Sequence, residues 1–397
     1  MSAPVFPFEP NWANGIDEIW SYRTEVQAAW DGREIRRCIR DAPQRQIQYP
    51  LLTRTPERRN RIHRRLLDLL GKQVRIPVWQ DASPVSVSAG ATSCPVNTPG
   101  RQYYDGGEAI LWQDEQTWHV CDNLVESPTS ISWTTPTASA LQGRVAPLVP
   151  ARLLPDVDGR VYTVDLEELR VNAFLDSSVL LGRLVDHDYP TYSSRIVLEH
   201  KSDEKDRSLE WSRRVETLSY ETGLTAAYPA WLQSVVAYDF QWIFSVRQSF
   251  GKFLDFLHLQ RGRWGWFWWD TWARDLRLTA PINSWDTVIF VTNEATGTVP
   301  PCRSALTIRL KDGTLFRRNV TAQTATSVTL DFPLGVAVAI GEIDRITWLL
   351  PVRFDTDTFR FRWETTTLVQ VAARLRHVLT IVDDTDGGGG DDPPVGS

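Results

Sequence analysis

Leu66-Leu-Asp-Leu-Leu-Gly-Lys-Gln73 and Phe253-Leu-Asp-Phe-Leu-His-Leu-Gln260 align without a gap at an offset of 187 residues. Each is followed by an aromatic and acidic signature, Ile76-Pro-Val-Trp-Gln-Asp81 in the first copy and Trp266-Phe-Trp-Trp-Asp270 in the second, at an offset of 189. Further along, Leu148-Val-Pro-Ala-Arg-Leu153 matches Leu349-Leu-Pro-Val-Arg-Phe354 at an offset of 201. Three matches in one order point to an internal duplication.

The local grammar of the copies agrees. Thr55-Pro56-Glu57 combines a capping hydroxyl, a proline suited to the first helical position and an acid in the first turn. Ile62, Leu66, Leu69 and Leu70 then share one face and Gly71 ends the helix. Its counterpart carries Phe250, Phe253, Leu254 and Leu257 on one face and stops near Gly262. After each helix the hydrophobic period changes to two: Tyr162, Val164 and Leu166 in the first copy; Phe359, Phe361 and Trp363 in the second, between Arg360, Arg362 and Glu364. Leu306 to Leu310 runs into the turn Lys311-Asp-Gly-Thr314. The expected fold is mostly β with a few short helices, an α+β class, as two homologous β-rich repeats over residues 1–198 and 199–382. The polar stretch Glu199 to Arg207 marks the boundary. Residues 383–397, Gly- and Asp-rich with almost nothing to bury, read as a flexible acidic tail.

Composition narrows the function. The 397 residues, 42% hydrophobic and 23% charged, suffice for two or three packed domains and exclude a disordered or collagenous chain. A net charge of −6 disfavours duplex DNA or an acidic membrane as the main partner of the whole chain. Arginine far outnumbers lysine, and 18 tryptophans accompany it, a bias found at buried interface anchors. Cys38, Cys94, Cys121 and Cys302 are too scattered for a disulfide framework. No export signal and no membrane segment is read, so synthesis and assembly are expected in a cytoplasm.

No nucleotide-binding, metalloprotease or hydrolase signature is present, and no cofactor or metal is expected. Trp118-His-Val-Cys121 places His119 and Cys121 on one strand face, with Cys94 a third ligand across a hairpin, but a fourth is not evident and an ordinary strand is preferred. Asp186-His-Asp188 reads as a solvated turn before it reads as a general base. Between Arg33 and Arg65 lie eleven arginines, among them Arg36, Arg37, Arg40, Arg58 and Arg59. With only Tyr49 to stack on a base, a solvated face or subunit contact is preferred to nucleic-acid binding. Trp264, Trp266, Trp268, Trp269 and Trp272 crowd one segment, which suits a core or an interface better than a sugar-stacking site. These ten residues are the candidate interface. A cell-wall hydrolase using Asp270 and Asp275 is the least favoured alternative.

Phe8-Glu-Pro-Asn-Trp12, Thr24-Glu-Val-Gln-Ala-Ala-Trp-Asp-Gly-Arg-Glu-Ile-Arg36 and Val78-Trp-Gln-Asp81 resemble the tail-tip and baseplate proteins of long-tailed bacteriophages, as do Val215-Glu-Thr-Leu-Ser-Tyr-Glu-Thr-Gly223 and Trp266 to Asp270 in the second copy. The resemblance implies tail-tube-like domains and a non-catalytic virion protein of the tail tip. Such a protein connects the tail tube to fibres or host-recognition proteins around a DNA passage, without sequence-specific DNA contacts. A chain with two such domains forms, by the same implication, a trimeric ring with six pseudo-equivalent positions, or a hexamer. The alternative function is a carbohydrate-binding tail adhesin using the Trp-rich segment. The iron–sulfur cluster and peptidoglycan hydrolase of some related hubs are not carried over, since the cysteine spacings and residues do not match.

Overall fold

The computed structural model describes residues 3–29, 32–164, 166–176, 189–202, 208–220, 223, 225–229, 231, 234–292 and 303–378. Asp186 to Asp188, Cys302, residues 203–207 and the tail from Asp383 lie outside the described residues. The protein is mostly β with two long helices. The principal strands of the first half are β1 (Ile16–Ser21), β2 (Thr24–Ala28), β3 (Glu34–Cys38), β4 (Gln44–Thr53), β5 (Gln73–Pro77), β6 (Glu108–Trp112), β7 (Trp118–Cys121), β8 (Leu141–Leu153), β9 (Asp158–Val161) and β10 (Glu167–Leu175), with α1 (Pro56–Leu69) after β4. Those of the second half are β11 (Leu209–Ser212), β12 (Val215–Ser219), β13 (Thr225–Pro229), β14 (Val235–Phe244), β15 (Phe267–Asp270), β16 (Ala305–Leu310), β17 (Leu315–Gln323), β18 (Ile343–Phe354), β19 (Thr358–Trp363) and β20 (Val369–His377), with α2 (Arg247–Gln260) after β14.

The two halves repeat one pattern of pairing. β9, β10, β4 and β1 are antiparallel neighbours in that order, as are β19, β20, β14 and β11. β8 pairs with β5, β6 and the end of β10, and β18 with β15, β16 and the end of β20. β2 with β3, and β12 with β13, form separate hairpins. From the first hairpin to the end of the helix the spacing is constant at 191 residues: Thr24–Ala28 answers to Val215–Ser219, Glu34–Cys38 to Thr225–Pro229 and Pro56–Leu69 to Arg247–Gln260.

This spacing corrects the offset of 187 read from the helices by one turn. Buried Ile62 stands where Phe253 stands, and Leu66 where Leu257 stands. Residues i and i+4 share a helix face, so the apolar pattern alone does not separate the two alignments. The acidic signatures are also not equivalent. Pro150 faces Arg75 and Pro351 faces Trp268, a spacing of 193, which puts Asp270 at the end of β15 while Asp81 lies beyond β5 in a 3-10 turn. Tyr162, Val164 and Leu166, expected in a strand, lie in the connection between β9 and β10. The Tyr162 and Thr163 amides donate to the Leu166 carbonyl, and the Thr163 hydroxyl accepts from the Leu166 amide. The inward alternation begins later, with Leu169, Val171, Ala173 and Leu175. Val5 bridges Arg75 in parallel just as Val197 pairs with Trp268, so the strand Arg195–Leu198, ahead of residue 199, already sits with the second half.

The helices form where their end signals lie. Thr55 Oγ1 accepts the Arg58 amide with Pro56 at the first turn, and Ile62, Leu66 and Leu69 face the sheet. α2 has no hydroxyl cap and is held by burial: Phe250 packs edge-on to Phe361 and Trp363, and Phe253 against Trp242 and Phe244. Phe359, Phe361 and Trp363 face this core while Thr358, Arg360 and Arg362 face solvent, the alternation expected of an antiparallel sheet with one wet face.

Candidate functional site

The two halves meet along one seam. β1 pairs antiparallel with β19 over six residues, from Ile16 opposite Trp363 to Ser21 opposite Thr358. The four strands of each half thereby merge into one eight-strand sheet, β9–β10–β4–β1–β19–β20–β14–β11. Its outermost strands are β9, the counterpart of β19, and β11, the counterpart of β1. Among the described residues each pairs on one side only.

Charged side chains are buried at this seam. Glu18, 2% exposed on the core face of β1, accepts Arg45 at 2.6 Å, Trp20 Nε1 at 2.9 Å and Gln80 at 3.1 Å. Burial opposes its ionisation, but Arg45 and these donors outweigh burial and hold the carboxyl below its ordinary value. Arg45 also reaches Gln102 at 2.8 Å, whose amide donates to Asp81 at 2.8 Å. Asp81 forms a buried ion pair with Arg247 at the start of α2, whose guanidinium lies 4.3 Å from the Trp363 ring centre. Burial pulls the Arg247 pKa down to about 10. Backbones approach so closely that a Cβ on Gly100 would lie 2.6 Å from the Arg247 carbonyl oxygen, and one on Gly15 2.7 Å from that of Trp363.

The hairpin β2–β3 lies across the second half. Glu34 takes a two-pronged bond from Arg353, Nε to Oε2 at 2.8 Å and NH2 to Oε1 at 2.9 Å, which leaves Arg353 3% exposed. Burial works against ionisation at both, yet the pairing lowers the Glu34 pKa and raises that of Arg353. Asp357, in the turn before β19, accepts the Thr24 and Arg263 amides, each at 2.9 Å. Tyr22 sits between the rings of His258 and Phe359, with centroids 6.3 Å away in both cases.

The ten candidate interface residues divide. Arg36 and Arg37 stand on β3, and Arg40 donates to the Ser21 carbonyl and to Gln44. Arg58 is bound to Glu115 at 2.6 Å and to the Leu52 carbonyl at 2.7 Å; Arg59 binds the Val164 carbonyl. The Arg-rich segment is therefore split between a hairpin and a helix. Trp266, Trp268 and Trp269, expected in a core or an interface, are buried within the chain itself, 5%, 3% and 2% exposed. Their strand is covered by β18 on one edge and by Arg195–Leu198 on the other. Trp264 is 38% exposed beside Arg261, and Trp272 lies under Arg309 and Arg345.

The weighed chemical sites are bound up in structure. Cys94 and Cys121 lie in a separate core cluster, where burial raises both thiols, Cys94 to about 11. His119 bonds the Thr135 carbonyl. Asp270 is 5% exposed and caps the Trp272 amide, with its carboxyl raised by burial, while Asp275 accepts the Trp348 amide at 2.9 Å. Among the described residues no group of three His, Cys, Asp or Glu is placed to hold a metal, and no helix is long and apolar enough to cross a membrane.

Sequence reading missed the seam residues Glu18, Arg45, Asp81 and Arg247. A signal exists for two of them: Glu18 lies between inward Ile16 and Trp20, and Arg45 precedes inward Ile47 and Tyr49, so each is a charge at a core-facing strand position. No family model and no curated protein matches the chain.

Proposed function

We propose that this chain is a non-catalytic structural protein of a phage tail tip, two tail-tube-like domains derived by duplication, which closes into a ring of copies around the DNA passage and joins the tail tube to fibres or host-recognition proteins. The observation that carries this reading is the pair of matching four-strand sheets fused edge to edge, with the outer edges β9 and β11 left as counterparts of the two fused edges. A contact of that kind is head-to-tail, and it closes a ring where its rotation divides a full turn.

The wet face of the eight-strand sheet suits a passage for a polyanion. It carries uncharged Gln44, Gln46 and Gln48 on β4, and two of its arginines are paired with acids, Arg360 with Asp17 at 2.5 Å and Arg374 with Glu210, while Arg170 stands exposed on β10. Such a wall neither traps nor strongly repels a passing duplex. Copy number follows from width. Three copies supply about 24 strands, which at ~4.8 Å spacing and ~40° tilt enclose a backbone diameter of about 48 Å, whereas two copies would enclose about 32 Å before side chains are counted. Three copies are the fewest that leave a duplex free passage, and the virion tail tip, assembled in the host cytoplasm, is the location this reading assigns.

Negative-stain images of the purified chain test it: rings with an open centre and six lobes are expected. Compact single particles that bind a glycan array through Trp264 would support the adhesin instead. The burial of Trp266, Trp268 and Trp269 weighs against that alternative, since stacking on a sugar needs open indole faces.

A further inference from the structure

We infer that β11 of one molecule pairs with β9 of the next, reproducing between copies the seam that β1 and β19 form within the chain. The inference deepens the ring reading by naming the edges that join. Carrying the β1–β19 register through the spacings of 191 (β1 to β11) and 202 (β9 to β19) gives an antiparallel junction with Leu209 opposite Gly159, Glu210 opposite Asp158, Trp211 opposite Val157 and Ser212 opposite Asp156.

Three observations converge on it. Leu209 and Trp211 are 50% and 63% exposed, although their counterparts Glu18 and Trp20 are 2% and 3% exposed at the internal seam. An exposed apolar strand edge is a docking surface unless it is blocked, and neither β9 nor β11 contains a proline. Next, among the described residues the seat that Tyr22 fills in the second half, against His258 and Phe359, has no such occupant in the first. There the counterparts Leu67 and Val157 line a groove of ≈260 Å³ with His63, Leu66, Leu70 and Leu169, and Leu67 is 84% exposed.

Among the described residues no hairpin covers the corresponding seat of β2–β3 in the first half. Arg353, covered by Glu34, has Arg152 as its counterpart, which is exposed on a cleft of ≈390 Å³ among Gln73, Pro150, Phe174, Leu175 and Asp176. The strands β12 and β13, counterparts of β2 and β3, are exposed apart from half-buried Ala226, and with Tyr220 they present Val215, Leu218 and Tyr228. Charge enters this register in both senses: Asp158 faces Glu210, whose carboxylate Arg374 already neutralises, while Asp156 stands next to Arg213. A second copy of this chain supplies the strand edge and the hairpin together, with Arg213 in the place of Tyr22 and Thr225 in the place of Glu34.

Ser21 Oγ and Thr358 Oγ1 lie 3.4 Å apart across the internal seam, so their counterparts Ser212 and Asp156 should be adjacent across the junction. In a full-length background of Cys38→Ser and Cys302→Ser, Ser21→Cys/Thr358→Cys should close a disulfide without changing the mass of 45.3 kDa on denaturing gels. Ser212→Cys/Asp156→Cys should instead give reducible multiples of that mass, and a mixture of the two single variants should give a dimer only. If the internal pair closes and the junction pair stays at monomer mass, the junction is overturned. In that case a ring seen by native mass spectrometry would leave the ring reading standing on other surfaces. Open cross-linked strings in place of closed rings would support the junction and remove the ring. A population that is monomeric and uncross-linked would sink both.

Discussion

Replacing Glu18 and Arg45 together should cost far less than replacing Arg45 alone. The second half already carries the substitution in the same framework, since the counterparts of Glu18 and Arg45 are Leu209 and Val236. Arg45→Val leaves a carboxylate that is 2% exposed with only Trp20 and Gln80 as donors, a loss of about 3–5 kcal/mol. With about 2 cal/mol/K of unfolding entropy per residue, a chain of this length loses about 1.3 °C per kcal/mol, so Tm should fall by about 4–6 °C. Glu18→Leu/Arg45→Val removes both charges and should lie within about 1 kcal/mol of the parent, a coupling of at least ~2 kcal/mol between the sites. Acid sharpens the test. In the parent Glu18 titrates below its ordinary value, so its contribution is complete above the usual carboxylate range and is lost as pH falls through that lowered value. In Arg45→Val burial is opposed only by the Trp20 and Gln80 hydrogen bonds and raises Glu18 relative to the parent, so the gap between variant and parent should narrow as pH falls from 7 to 4. Thermal unfolding by circular dichroism, run on the parent, both single variants and the double, reads all of this. A double variant that falls by the sum of the singles, or a harmless Arg45→Val, would refute a compensated buried pair.

Gly15→Ala and Gly100→Ala combine φ of +69° and +72° with contacts under 3 Å to backbone oxygens, and each should lower stability by about 2–4 kcal/mol in thermal melts; a loss below about 1 kcal/mol would mean that the seam yields freely. Burial draws the His377 pKa down to about 4. The unfolded chain therefore takes up a proton that the folded chain refuses, and stability should decline as pH falls from about 6.5 to about 4, by up to about 3 kcal/mol, with His377→Phe flattening that slope in pH-resolved melts. Trp268→Ala should destabilise by about 3–5 kcal/mol, whereas Trp264→Ala, at a half-exposed site, should cost under about 1 kcal/mol. Equal losses for the two would contradict the placement of the Trp-rich strand in the core.

The parts of this fold that were legible in the sequence are those written in local chemistry. Thr55-Pro56 announces a helix start, Gly313 a turn, and the alternation from Thr358 to Trp363 a strand with one buried face. Registration was less legible where a pattern repeats within itself, as in the helices that slid by one turn. Tyr162, Val164 and Leu166 alternate without being a strand because alternation records a period and not a partner; the partner of β9 is β10, and the chain must turn between them. The pairing of Ser21 with Thr358 carries no local signal at all, since no turn or spacing rule links strands so far apart in the chain. The seam charges were hidden for a related reason. An inward Glu18 is visible only as an anomaly until Arg45 and Gln80, from other elements, are placed beside it. The Trp-rich segment was found as a cluster, but whether five indoles face a neighbour or a core depends on the strands that flank it.

The absolute mass of the purified chain by native mass spectrometry, taken with its rotational symmetry in class averages, tests the central claim most directly. The account predicts a closed trimer of about 136 kDa, from 45.3 kDa per copy, showing threefold symmetry with six lobes. A two-fold dimer in which a surface meets its own copy, or a monomer that persists at high concentration with β9 and β11 intact, would contradict it.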